Sequence, residues 1–213
     1  MTCSCDKRSY GLRIFLVIFL CLGLHSCSIL SGVERQVKTS PILAVESHEQ
    51  QIVTLGSWTV RARISVKTPV DSFSGDLRWS QIGNAYNVRL SGPFGSGALT
   101  IRGNLDRVIL HTSDGQSFSD STPEKLMRAQ LGWNIPVSHV RYWLLGVPDR
   151  KSLDNQPTKL VDESGRYKSF VQSDCQVFYK DYYEDESPNL PRKISFDCDD
   201  LKSRIAVKAW EIH

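Results

Sequence analysis

The chain is 213 residues long, with 40% apolar residues, 23% charged residues and a formal net charge of +3. That length holds one medium domain with a sizeable core, and a second domain is not expected. Because 26 basic residues are nearly balanced by 23 acidic ones, there is no electrostatic case for a nucleic-acid partner.

The N-terminus, MTCSCDKRSYGLRIFLVIFLCLGLHSC, reads as a targeting segment. Lys7, Arg8 and Arg13 form its basic region, and Ile14 to Leu24 form an apolar core too short to span a membrane comfortably as a mature helix. Leu24, Ser26 and Cys27 resemble a bacterial lipobox, and His25 departs from the small or aliphatic residue usual at its place. The resemblance implies cleavage before Cys27 and lipid on Cys27; an ordinary cleaved secretory signal or an uncleaved anchor are the other readings. Three acyl chains, at ~0.8 kcal/mol per buried methylene, would make the attachment effectively permanent. The chain then divides into a leader at 1–26, a lipidated tether at 27–40 and a folded domain at 41–213. Loss of residues 1–26 removes Asp6, Lys7, Arg8 and Arg13, leaving 23 basic and 22 acidic residues, a net charge of +1. Besides Cys27, the mature chain keeps Cys175 and Cys198. In an oxidising compartment these two invite a disulfide, with two separate buried thiols as the alternative.

From Ser40-Pro41 onward, Ile42, Val45, Glu49, Ile52 and Val53 recur near helical spacing and predict a helix over 41–54. In WTVRARISV the period becomes two: Trp58, Val60, Ala62, Ile64 and Val66 share one face, and Thr59, Arg61, Arg63 and Ser65 the other. The alternation recurs at Leu77 and Trp79, at Tyr86, Val88 and Leu90, at Leu99 and Ile101, and at Val108 and Leu110. Short Gly, Asn and Asp turns between these runs favour antiparallel hairpins.

Thr122-Pro123-Glu124 then supplies an N-cap, a proline at the first helical position and an acid in the first turn, opening a helix through Leu126, Met127 and Leu131. A second helix starts at Pro136 or Val137, carries Val137, Val140, Trp143 and Leu144 on one stripe, and stops at Gly146. A polar stretch over 149–165 follows. Strands resume in YKSFVQS, CQVFYKDYY, RKISFDC and RIAVKAWEI. The expected fold is mainly β within the α+β class: a curved antiparallel sheet forming an unclosed barrel, with helices covering an apolar interior.

The mature chain has His48, His111, His139 and His213, none in an HExxH, HxxxH or Cys-x-x-Cys spacing. No GxSxG elbow is present, and GPFGSG lacks the lysine of a phosphate loop and leads into a strand. No catalytic residue, metal ligand or cofactor is therefore expected. Arg61, Arg63, Arg89 and Arg102 fall on polar strand faces, where they are either simply solvated or positioned to meet an acidic partner.

The succession WTVRARISV, GDLRWSQ, AYNVRLSGPFGSGALTIRG, LGWNIPVSHVRYWLLGVP, NLPRKISF and IAVKAW, behind a lipobox, resembles the outer-membrane lipoprotein receptor family LolB. Family members usually carry Gly-Arg in place of Ala62-Arg63 and a tryptophan where Cys175 stands. The resemblance implies a monomer anchored on the periplasmic side of the outer membrane. Such a protein takes lipoproteins from the soluble carrier LolA and inserts them into the inner leaflet, without nucleotide. Its partners are the carrier, lipoprotein acyl chains and outer-membrane phospholipid. Ser28 fits outer-membrane sorting, since aspartate at that place retains lipoproteins elsewhere.

By the same resemblance, Phe94 in SGPFGSGALT corresponds to a protruding apolar residue needed for insertion, and its role here is membrane insertion. The acyl cavity is expected from Trp58, Val60, Ile64, Trp79, Val88, Leu90, Leu99, Ile101, Trp143 and Leu144. The competing reading is a lipocalin-like lipoprotein that holds a small apolar ligand and has no need of Phe94.

Overall fold

The computed structural model describes residues 41–93, 97–152, 159–185 and 188–213. The expected leader, the tether with Cys27, and Phe94 lie outside the described residues. In chain order the elements are helix α1 (Pro41–Val53), strands β1 (Ser57–Lys67), β2 (Ser72–Ile82), β3 (Ala85–Ser91), β4 (Leu99–Gly103), β5 (Val108–His111) and β6 (Ser117–Asp120). Helices α2 (Pro123–Leu131) and α3 (Val137–Leu144) follow, then a 3-10 turn at Arg150–Ser152. The chain closes with β7 (Lys159–Val161), β8 (Tyr167–Gln172), β9 (Cys175–Tyr182), β10 (Pro191–Cys198) and β11 (Leu201–Ile212).

The strands form one sheet in the order β6-β5-β4-β3-β2-β1-β11-β10-β9-β8-β7, with antiparallel neighbours throughout. Two meanders, separated in sequence by α2 and α3, are joined down the middle where the first strand meets the last. There Ala62 faces Val207 and Ile64 faces Ile205. The register slips between Arg61 and Ala62, because Ala209 pairs with the first and Val207 with the second, so Lys208 is an extra residue on β11. Such a bulge bends the strand and increases its twist. Among the described residues the sheet does not close: β6 pairs with β5 and β7 with β8, and neither pairs with the other.

One face of this sheet is the core. Val60, Leu77, Trp79, Val88, Leu90, Ile101 and Leu110, all under 5% exposed, continue the period-two rows across neighbouring strands. At about 25 cal/mol per Å² of apolar surface removed from water, each contributes ~1.5–3 kcal/mol. Every buried side chain among the described residues lies between His48 and Val207, and residues 39–213 form one compact unit. A segment beginning at residue 28 therefore carries every buried side chain of the described residues.

Two edge strands were not foreseen from the sequence. β6 (SFSD) and β7 (KLV) each pair on one side and have no fully buried residue. They are held by backbone hydrogen bonds, so no apolar alternation marks them. The helix starts were foreseen. Thr122 accepts a hydrogen bond from the Lys125 N–H at 3.4 Å, Pro123 opens α2, and Gly132 ends it at φ 68°. The N-terminus of α3 has no cap of its own; the Glu124 carboxylate on α2 accepts the Ser138 N–H at 2.7 Å, coupling the two helices.

Helix α1 differs from its expected stripe. Ile42 and Val53 are exposed, whereas His48, Glu49 and Ile52 are buried. The helix covers a polar end of the sheet, where Glu49 accepts a 2.6 Å bond from the Tyr167 hydroxyl and pairs with Arg150. It also presses so closely on the β7–β8 turn that a Cβ at Gly165 would meet the Ala44 carbonyl carbon at 2.2 Å.

The His48 imidazole is 6% exposed, and its Nε2 has no hydrogen-bond partner. Burial lowers its pKa below the ordinary 6.5, helped by the Arg166 charge. The folded protein thus keeps His48 neutral while the unfolded chain binds the proton more readily. Its contribution is fully present above pH 6.5 and is lost as pH falls through the lower folded value. Thermal midpoints should therefore drop on acidification through that window, and His48→Gln should flatten the drop. An unchanged slope in the variant would assign the acid sensitivity to other groups.

Candidate functional site: an apolar cavity beneath two helices

A cavity of about 50 Å³ lies between the buried face of the sheet and the α2–α3 pair. The sheet contributes Ile64, Leu77, Trp79, Val88, Leu90, Ile101, Phe196 and Ile205; the helices and their linker contribute Met127, Ile135, Val137 and Val140. Every lining side chain is apolar apart from the Trp79 indole N–H, and that group is turned away. It donates to Gln81 Oε1 at 3.0 Å, and the Gln81 amide donates onward to the Gly83 carbonyl at 2.8 Å. The cavity thus offers a ligand no hydrogen bond and no charge, which suits hydrocarbon and little else.

Of the ten side chains expected at an acyl cavity, Ile64, Trp79, Val88, Leu90 and Ile101 line this one. The other five are buried elsewhere in the core. Trp58 packs against Trp79 and Trp210 at ring-centroid distances of 6.2 and 5.6 Å. Val60 and Leu99 lie in flanking rows, opposite Trp79 and Leu90 respectively. Trp143 and Leu144 sit at the far end of α3.

Trp143 is fully buried against Phe196 and Phe170, with centroids 5.3 and 6.4 Å away. Sequence reasoning missed seven lining residues. Leu77 shares the period-two row of Trp79, and Val137 and Val140 share the α3 stripe, so local patterns marked them as buried. Phe196 and Ile205 reach the cavity because β11 pairs with β1 and β10 with β11, and no local pattern reveals that.

The two ends of the helical cover are held differently. At the far end, Gln172 accepts from the Trp143 indole N–H and the Asp149 N–H, both at 2.9 Å, and donates to the Asp149 carbonyl at 2.8 Å. The Tyr179 hydroxyl donates to the Trp143 carbonyl at 2.9 Å. Nearer the start of α3, His139 Nδ1 lies 3.0 Å from Asp149 Oδ2. Over the cavity, the lining contacts of Met127, Ile135, Val137 and Val140 are apolar. Replacing Gln172 with Leu would orphan two buried N–H donors, and a stability loss of about 2–4 kcal/mol is expected in denaturant melts. A loss below ~1 kcal/mol would show that water replaces the amide.

Cys175 and Cys198 oppose each other in the β9–β10 register, with Cα atoms 4.1 Å apart, and their sulfurs are bonded. The bridge clamps the open end of that hairpin. Asn134, Ile135 and Pro136 of the α2–α3 linker border the same cleft as the two cysteines, so the clamp lies beside the base of the helical cover.

Comparison with known proteins agrees with this geometry. A family model described as outer membrane lipoprotein LolB matches residues 56–210. Outer-membrane lipoprotein LolB of Pseudomonas savastanoi pv. phaseolicola is 34% identical, over 94% of this chain and 96% of that protein. The protein of the same name from Pseudomonas aeruginosa PAO1 is 30% identical over the same shares. Among solved structures, a LolA superfamily protein from Nitrosomonas europaea superposes with a TM-score of 0.52 at 11% identity. The match covers 82% of this chain and 94% of that one, a likeness of fold. With the family model spanning most of the folded domain, this chain belongs to the LolB family of outer-membrane lipoproteins.

Proposed function

We infer that this protein is the outer-membrane receptor of a lipoprotein localisation route, anchored through Cys27 and facing the periplasm. It accepts the acyl chains of lipoproteins from the soluble LolA carrier and releases them into the inner leaflet. The observation that carries the reading is the wholly apolar cavity between sheet and helices, whose lining offers only dispersion contacts. A lipocalin-like role gains no separate support.

A volume of about 50 Å³ is far below the ~300–1,000 Å³ of pockets that bury a drug-sized ligand. An acyl chain can enter only if the cover moves. The lining contacts of α2, the 132–136 linker and the start of α3 are apolar, so an entering chain replaces one set of dispersion contacts with another at little net cost. The hydrogen bonds around Gln172 hold the opposite end of α3 and make it the pivot. Glu124 joins α2 to α3, so the two helices move together. Delivery is downhill because the bilayer buries each methylene more completely than a partly opened cavity does.

The test mixes carrier loaded with a labelled lipoprotein with residues 28–213 of this protein, without and with liposomes. The label is expected to move to this protein first and to liposomes when they are present. Label that stays on the carrier while this protein is folded would remove the receptor reading, and saturable binding of a small apolar probe alone would leave the lipocalin-like one.

A further inference from the structure

The face of the sheet turned away from the helices carries an arrangement that takes no part in lining the apolar cavity. The registers of β1, β2 and β3 set Arg61 directly opposite Arg78, and Arg78 directly opposite Arg89. All three side chains are exposed. Neighbouring strands are about 4.8 Å apart, so the three arginines stand in one row across roughly 10 Å of rigid sheet. Like charges directly opposite each other on a sheet are destabilising.

Neutralisation is incomplete. Arg61 lies 3.4 Å from Glu211, while Asp76 in the neighbouring row is already shared by Arg63 at 3.2 Å and Lys208 at 2.8 Å. Among the described residues no carboxylate lies within ion-pair distance of Arg78 or Arg89. The β11 bulge is what delivers Lys208 to this site. The row borders a groove of about 340 Å³ that Ser91, the last residue of β3, also lines.

We propose that this arginine row is a docking surface for the phosphate groups of anionic phospholipid in the target membrane. Guanidinium groups match phosphate oxygens in paired hydrogen bonds, and a rigid row of them fits a surface that presents many phosphates side by side. Its position favours a membrane over an acidic protein: the groove reaches the end of β3, three residues before Phe94. The proposal rests on the receptor reading for its purpose. Headgroup binding by the row would hold the protein against the bilayer.

Residues 28–213 should bind vesicles of equal parts phosphatidylcholine and phosphatidylglycerol at least tenfold more tightly than phosphatidylcholine alone, with salt weakening the difference. The double variant Arg78→Gln, Arg89→Gln should bind the mixed vesicles about thirtyfold more weakly. Arg78→Lys with Arg89→Lys should recover most of the loss. The glutamine variant should melt no lower than the parent, because it removes a repulsion.

Equal binding of the parent to both vesicle types, or an unaffected glutamine variant, overturns the proposal. So does a glutamine variant that binds vesicles normally but no longer takes cargo from a loaded carrier, since the row would then serve an acidic protein. Cargo that never leaves the carrier while vesicle binding follows the row would remove the receptor reading alone.

Discussion

Phe94→Glu is expected to leave cargo transfer from the carrier intact and to slow delivery into liposomes by about two orders of magnitude. The estimate combines ~2 kcal/mol of lost aromatic burial with the added cost of bringing a carboxylate to the bilayer. Phe94→Leu, which keeps the apolar character, should retain most of the delivery rate. The readout is the split between two steps: label arriving on this protein and label arriving on the liposomes. If glutamate at this position slows both steps equally, the residue serves the fold or the cavity and insertion must be sought elsewhere. If it slows neither, the expected insertion role is wrong.

The second large effect concerns Trp143. Its ring is fully buried between Phe170 and Phe196, and its indole N–H and backbone carbonyl are both bonded, to Gln172 and Tyr179. Trp143→Ala should lower stability by about 3–5 kcal/mol, a large share of the 5–15 kcal/mol typical of a folded domain. Its consequence should be a loosened core, seen as a lower unfolding midpoint. Val140→Trp at the cavity should act the other way round, with only ~1–3 kcal/mol of destabilisation from overpacking but loss of saturable binding of a fluorescent fatty acid. Should Trp143→Ala abolish probe binding while leaving the midpoint unchanged, Trp143 would be a cavity residue after all and the pivot would be misplaced.

Much of this protein was legible before its structure. Period-two rows such as Trp58 to Val66 marked strands with one wet face. The Thr122-Pro123-Glu124 start and the Gly146 stop marked two helices where the sheet pauses. Period and capping are local, since each depends on residues within one turn or one strand, and a single sequence displays them. The resemblance to the LolB family, carried above all by LGWNIPVSHVRYWLLGVP, supplied the role that periodicity could not.

Tertiary structure decided what depends on residues far apart in the chain. The pairing of β1 with β11 brings Ile205 beside Ile64 and completes the cavity floor. The same sheet sets Arg61, Arg78 and Arg89 in one row, although each alone is an unremarkable exposed residue. Helix α1 buries Glu49 rather than Val53 because Tyr167 and Arg150, more than a hundred residues away, satisfy the carboxylate. The division of the expected cavity residues into five that line it and five packed elsewhere follows from the same cause. Alternation reports which face is dry, and only the placement of α2 and α3 determines where along that face the packing leaves space.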